Sequence, residues 1–289
     1  MPPSDGFRLR NADTTDLPRI AEMRDEVGWG VHDWALRAVL EPPHARCIVA
    51  VDGRDVVIGV GSGISYGQMG FVGNMIVDSG HRRRGIGAAI LQAVISFLEE
   101  RGTTRMELYA TTEGRPLYAR HGFELTGASA MVRVPRAVVS SAEGVAGVGV
   151  RDASTHAEAD IIAYDTPRFG GDRRAVLRNI VGDRQRPVVV ARREGAIVGY
   201  GWVRPDGERI GPLVADTPEI AVALIGEAFA RMPLIDELTL NVPSDNRAGA
   251  ERLTDLGAEE SPWDGRMARG PDVPRRGETI YGNLVGALG

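Results

Sequence analysis

Short apolar runs bounded by turn residues alternate with amphipathic stretches along this chain, and the whole series occurs twice. Cys47-Ile-Val-Ala-Val51 reads as a strand, Asp52-Gly53 as a turn and Val56–Val60 as the returning strand, which predicts a hairpin. Val188-Val-Val-Ala191, Glu194-Gly195 and Ala196–Tyr200 repeat it. Each hairpin is followed by another strand and then by a helical pattern. Ile90, Leu91, Val94, Ile95 and Leu98 fall on one helical face in the first series. Leu224, Ile225, Ala228 and Phe229 do so in the second, where Thr217-Pro218 supplies a cap and a first turn. A strand comes next in each (Met106–Tyr109 and Glu237–Leu240). Then His121-Gly122-Phe123-Glu124 and Leu256-Gly257-Ala258-Glu259 each close a short helix and open a strand. Matching features stand roughly 130–140 residues apart, a period that means two domains and not a solenoid.

Between the series, Arg136–Gly149 (RAVVSSAEGVAGVG) is small and flexible in composition and reads as a linker. The expected organisation is a first domain over 5–135, a linker over 136–148 and a second domain over 149–289, both of mixed α/β (α+β) class. The stretch Glu278–Leu288 is apolar enough to dock as a last strand or helix.

Composition narrows the chemistry. With 289 residues, 43% hydrophobic and 25% charged, the chain is globular in make-up. A net charge of −5 argues against nucleic acid as the main partner. No apolar run is long enough for a membrane helix, and Met1-Pro-Pro-Ser-Asp5 lacks the pattern of a secretory signal. The single cysteine, Cys47, excludes an intrachain disulfide and reads as a small core residue, so the expected location is cytoplasmic. Every one of the 34 basic residues is Arg. The absence of Lys excludes Schiff-base chemistry and a Walker-type phosphate lysine. His44, His81 and His156 are scattered without metal-ligand spacing, so no metal is expected.

One segment carries chemistry. The strand Phe71–Val77 runs into Asp78-Ser-Gly-His-Arg82-Arg83-Arg84-Gly85-Ile86-Gly87, and a helix opens at Ala88. A strand, a basic glycine-bearing loop and a helix start make an anion site, because free amides and the helix dipole both favour negative charge there. Gly85 and Gly87 let the backbone approach an anion closely. The loop is neither a Walker motif nor a Rossmann fingerprint. A lone Gly-x-Gly at a solvated Arg cluster is equally a glycine-tolerant helix start.

The motif Arg82-Arg-Arg-Gly85-Ile-Gly87 resembles the acyl-CoA loop of the GNAT superfamily, the GCN5-related N-acetyltransferases. Pro116-Leu-Tyr118-Ala-Arg-His-Gly122-Phe123 resembles that family's second motif, in the right order and at the right distance. The resemblance covers roughly 5–135 and implies a tandem bacterial acetyltransferase, active in its first half and degenerate in its second. It implies acetyl-CoA as co-substrate. The backbone of Met75, Ile76 and Val77 pairs with the pantetheine arm, and the amides of Arg82, Arg83, Arg84, Gly85, Ile86, Gly87 and Ala88 hold the pyrophosphate. An amide near Val77 stabilises the oxyanion, and Tyr118 is the general acid that protonates the departing thiolate. Thr111 stands where many members carry Asn, and still offers a hydroxyl.

The implied activity is N-acetyl transfer to a primary amine of a small molecule or peptide, in a ternary complex. O- or S-acyl transfer on the same fold and a non-catalytic acyl-CoA sensor are the alternatives. The acceptor wall falls on Trp29, His32 and Glu26, with core packing an equal reading of Trp29 and Trp34. Glu22, Asp25 and Asp78 are further carboxylates near the site, Asp78 equally a loop cap. His121 reads as a helix cap. A homodimer paired through strand edges is a possible assembly. The second series lacks the loop: Ile210–Pro218 is shorter and bears Asp216, which repels phosphate. Its most distinctive cluster, Tyr164-Asp165 with Phe169–Arg173, reads as acceptor recognition, a domain contact, or a turn with an Asp–Arg pair at a helix start.

Overall fold

A computed structural model describes residues 6–30, 33–140, 144–153, 157–182, 186–205 and 208–289. His32, His156 and the Met1–Asp5 terminus, all named above, lie outside the described residues. The chain divides into two compact units that interleave in sequence. The first holds Met1–Thr126, Arg266–Val273 and Gly286–Gly289, the second Gly127–Gly265 and Pro274–Val285. The pattern alone drew two consecutive stretches, because a strand supplied from far along the chain reads like a local one.

The first unit contains β1 (Arg8–Asn11), α1 (Leu17–Glu26), α2 (Asp33–Ala38), β2 (Ala45–Val51), β3 (Val57–Ser65), β4 (Met69–Val77), α3 (Ile86–Glu100), β5 (Arg105–Ala110) and α4 (Arg115–Ala119). Its sheet runs β1-β2-β3-β4-β5, antiparallel up to β4 and parallel between β4 and β5. The last residues of a strand over Glu259–Arg269 continue it beside β5, followed by the start of a strand over Glu124–Pro135. The predicted hairpin is β2–β3, its turn held by Asp52 Oδ1, which accepts from the Arg54 and Val56 amides at 2.8 and 3.0 Å. The predicted face of α3 is the core face: Ile90, Leu91, Val94, Ile95 and Leu98 are fully buried. They pack on β3 where it has no side chains. A Cβ at Gly59, Gly61 or Gly63 would come within 2.9 Å of Ile86, Ile90 or Val94. The helix lies directly on strand backbone, and alternate glycines hold it there. Cys47 is buried in this unit, and burial pushes its thiol up to about 12, so it is inert at neutral pH.

The second unit contains most of β6 (Glu124–Pro135), then α5 (Arg136–Ser140), β7 (Val148–Asp152), α6 (Glu158–Phe169), α7 (Arg174–Gly182), β8 (Val188–Arg193), β9 (Ala196–Val203), β10 (Ile210–Ala215), α8 (Pro218–Arg231), β11 (Glu237–Val242), α9 (Arg247–Asp255), most of β12 (Glu259–Arg269), and β13 (Ile280–Gly282). Its five-stranded sheet runs β13-β10-β9-β8-β7, and β6 pairs with β11 from Ala130 to Pro135. The start of the expected linker is ordered as α5. Arg136 holds it: its guanidinium donates to the carbonyls of Phe229, Met232 and Ile235, closing the end of α8, and stacks on the Phe229 ring. The apolar stretch after Glu278 forms β13.

Candidate active site

The first unit's sheet splits at its centre. β4 pairs with β5 at Met69, Gly70 and Phe71, opposite Arg105, Met106 and Glu107. Beyond Phe71 β4 keeps its ladder with β3 as far as Val77, so its β5-side edge turns away from β5. Burial agrees with this: Gly73, Met75 and Val77 are half-buried while Ile76 is buried. The Asp78 amide donates to Ile58 O at 2.9 Å. Alternation along a strand then aims the Val77 amide at the open edge and turns Ile76 to β3.

A bulge sets this course. The β3–β4 register shifts between Val60 and Ser62, and Asn74 has φ +54°, an uncommon backbone state for a side-chain-bearing residue. Its side chain is clamped, with the amide nitrogen donating to Ser62 Oγ at 2.9 Å and the carbonyl accepting from Arg24 Nη1. Arg24 is buried on α1 and also donates to Gly30 O at 3.0 Å and Trp29 O at 3.3 Å. It therefore ties the Val27–Gly30 turn to the bulge. Arg24 reads in sequence as an ordinary helix charge; only the pairing with a residue fifty positions on reveals it.

At the end of β4, Asp78 organises the basic loop. Its carboxylate accepts from the Gly80 amide and His81 Nδ1, both at 3.0 Å, and from Arg19 Nη2 at 2.8 Å. The His81 bond, then the Gly80 amide and the Arg19 charge, hold its carboxyl below the usual aspartate range. Asp78 is thus a loop cap. Arg82 Nε donates to Val77 O at 3.1 Å, while Arg82, Arg83 and Arg84 are exposed. Gly85 is the N-cap of α3 at φ +81°, with no side-chain cap hydrogen bond. A Cβ there would find open space but a strained backbone. The first intrahelical bond runs from the Ala89 amide to Gly85 O at 3.0 Å. The amides of Ile86, Gly87 and Ala88 precede it at a positive helix end.

α4 stands beside this helix start. A Cβ on Gly87 would lie 3.4 Å from Leu117 of α4 and 3.6 Å from Val77. Thr111 opens the turn into α4, its carbonyl accepting from the Gly114 and Arg115 amides and its hydroxyl from Gly114 at 3.3 Å. Tyr118 is buried with its ring edge-on to Phe123 at 6.1 Å. His121 Nδ1 lies 3.0 Å from Leu117 O, closing α4 as a cap.

The predicted acceptor residues separate. Trp29 is 36% exposed, and Arg24 sits 5.9 Å from its ring centre. Trp34 is half-buried on α2. Glu26 and Glu22 both bind Arg19, at 3.0 and 3.2 Å, on the solvent side of α1. Together with Asp78 they form one surface network on that arginine. No group of three or more His, Cys, Asp or Glu among the described residues could hold a metal ion, and no described helix is long and apolar enough to cross a membrane.

The second unit closes the equivalent junction. β10 ends at Ala215, Thr217 Oγ1 caps α8 by accepting from the Ile220 amide at 3.4 Å, and Pro218 occupies the first turn. The distinctive cluster turns inward. Asp165 and Arg173 form a buried bidentate pair at 2.6 and 3.0 Å, the Tyr200 hydroxyl donates to Asp165 at 2.5 Å, and Arg173 stacks on Phe169. Burial, then the Asp165 charge, pushes the Tyr200 hydroxyl well above its ordinary value. Asp172 accepts from the Arg174 amide at the start of α7.

Comparison with known proteins agrees on both halves. A family described as "Acetyltransferase (GNAT) family" matches residues 8–123, and one described as "Acetyltransferase (GNAT) domain" matches 161–282. The chain is 25% identical over 230 residues to "Uncharacterized N-acetyltransferase YitH" of Bacillus subtilis, 78% of each being covered. A putative acetyltransferase from Pyrococcus horikoshii shares the fold at a TM-score of 0.79 and 23% identity, over 98% of this chain and 96% of that one. A tandem GNAT protein from the clavulanic acid biosynthesis pathway shares it at 0.64 and 15% identity, over 92% and 99%.

Proposed function

The chain belongs to the GNAT acetyltransferases, with one such domain in each half, and is an acyltransferase enzyme; from that premise we propose that its first unit moves the acetyl group of acetyl-CoA to a primary amine of a small molecule or peptide. The observation that carries the proposal is the open helix start of α3 set at the end of the unpaired edge of β4. These residues fit such a co-substrate. The amides from Arg82 to Ala88 face the pyrophosphate, with Arg82, Arg83 and Arg84 adding positive charge. The edge of β4 offers Met75 to the amide groups of the pantetheine arm, Ile76 being turned to β3 and the Val77 carbonyl being held by Arg82 Nε. Thr111 opens the turn into α4, the helix that carries Tyr118, with its hydroxyl accepting from the Gly114 amide.

The residues then divide the work of one step. The amine nitrogen bonds to the acetyl carbonyl carbon, the carbon–sulfur bond breaks, and the amine's proton passes to solvent, from which Tyr118 is reprotonated after it has given its own proton to the thiolate. The Val77 amide donates to the carbonyl oxygen as charge builds there. Tyr118 protonates the departing thiolate. The chain has no motif-placed Ser or Cys nucleophile, and Cys47 is buried, so the acetyl group passes directly in a ternary complex. The second unit, its helix start closed by Thr217, is the non-catalytic partner domain in this proposal. The single cysteine, which allows no intrachain disulfide, favours a cytoplasmic enzyme, and the acidic chain one that takes no nucleic acid.

Thiol release from acetyl-CoA, measured with primary amines, alcohols and thiols, tests this. Amine-dependent release is expected, with Tyr118→Phe keeping acetyl-CoA affinity and losing rate by about 10²–10⁴-fold. Release with alcohols or thiols alone would move the reading to O- or S-acyl transfer. Binding without release would make the unit an acyl-CoA sensor.

A further inference from the structure

The fork between β4 and β5 has two faces. Val72 of β4 and Met106, Leu108 and Ala110 of β5 pack with α3 in one core cluster. Strand alternation therefore turns Phe71 and Gly73 to the opposite face, and the bulge brings Asn74 to that same face, where its side chain meets Ser62, the partner of Gly73, and Arg24. On that face the strand meets residues from the far end of the sequence. Gly286–Gly289 belongs to the first unit by its contacts. Any side-chain carbon on Gly73 would overlap Ala287. The Tyr66 hydroxyl donates to Leu288 O at 2.8 Å, Leu288 is fully buried, and Gly289 packs against the Phe71 ring. Gly73 has φ in the ordinary range, so it is this contact, and not the strand, that excludes a side chain there. The segment thus covers β4 where its pairing with β5 has just ended.

We propose that Gly286–Gly289 forms a wall of the acceptor pocket and sets the size of the amine that reaches the thioester. The inference rests on the acetyltransferase reading. With the anionic end of the co-substrate on the α3 side, the acceptor approaches from the other face. There Arg24 and Ala287 meet consecutive residues of one strand, Asn74 and Gly73. Packed on Gly73 and the Phe71 ring, the segment fills the space beside the fork that a bulky acceptor or water would otherwise enter. Tyr66 fixes the segment through a single bond to a main-chain carbonyl, a positioning role at the pocket's edge.

The test compares native protein with Tyr66→Phe, which removes the hydroxyl anchor, and Gly73→Ala, which displaces Ala287. Ethylamine, 2-phenylethylamine and water serve as acceptors. Acetyl-CoA affinity is expected to stay within about twofold of native. The kcat/KM ratio of 2-phenylethylamine to ethylamine is expected to rise about tenfold or more, the scale on which a pocket discriminates by size. Amine-independent thiol release rises severalfold as water gains the fork. Tyr66→Phe, which keeps the ring, carries the test should Gly73→Ala unfold the protein. An unchanged amine ratio and unchanged water-driven release, in a variant with native affinity, would overturn the inference. Failure of the acetyltransferase reading looks different: native protein would release no thiol with any acceptor, and the inference would fall with it.

Discussion

The junctions β4–α3 and β10–α8 start alike and end differently. Each strand is followed by an aspartate held by an arginine of an earlier helix, Asp78 by Arg19 of α1 at 2.8 Å and Asp216 by Arg168 of α6 at 2.5 Å. The second adds the Tyr164 hydroxyl at 3.0 Å from Asp216, with Arg168 stacked on its ring. The shared aspartate anchors helix to strand end, a structural role for Asp78. The residues just after that aspartate separate the units. In the first, an arginine loop runs from Ser79 to a left-handed Gly85 and leaves α3 without a side-chain cap. In the second, Thr217 commits its hydroxyl to the helix and Pro218 fills the first turn. One architecture thus gives an uncapped helix end and a capped one, and the difference lies in a handful of loop residues.

The contrast can be broken from either side. The largest effect is expected inside the second unit, where Asp165→Ala leaves the buried Arg173 without its carboxylate. Loss of about 3–5 kcal/mol of stability in urea titrations should leave acetyl-CoA affinity per folded molecule intact. A fall in affinity would mean that the second unit takes part in binding. Next comes Gly85→Asp, which puts a negative charge and a strained backbone at the open helix end. Acetyl-CoA affinity measured by calorimetry should fall about a hundredfold or more, ~2.7 kcal/mol; a native value would place the pyrophosphate elsewhere. Thr217→Ala uncaps α8 and should cost about 1 kcal/mol of stability in urea titrations, without creating a second binding site.

The smallest effect concerns pH. Asp78 has a lowered folded pKa, so its stabilising contribution is present above the unfolded value of about 3.9 and is lost as pH falls through the lower folded one. Native and Asp78→Asn proteins should therefore differ in urea midpoint near neutrality and converge only below the ordinary aspartate range. A difference that persists at the most acid pH would assign Asp78 a role beyond its charge.

Much of this was legible along the chain, because local periodicity reports local structure. The hairpins, the buried face of α3, the Thr217-Pro218 cap and the His121 cap all depend on neighbours within a few residues. The basic loop was legible as a motif, and Asp78 as one of two readings. The sequence pattern was silent where distant stretches meet. The close of β5 against Arg266–Arg269, the Arg24–Asn74–Ser62 clamp and the Gly286–Gly289 segment on Gly73 carry no local signal. The alternation Gly59, Gly61, Gly63 was a signal available and unused: three glycines on one strand face announce a helix lying on bare backbone. Tyr164-Asp165 and Phe169–Arg173 stood out in sequence for their polar density, which buried ion pairs produce as readily as binding sites do.

Whether one junction of the two holds the co-substrate is read directly by calorimetry of the full chain with acetyl-CoA and with free CoA. The open α3 start and the sealed α8 start predict one site per chain for each ligand. Two sites per chain, or none, would contradict that assignment.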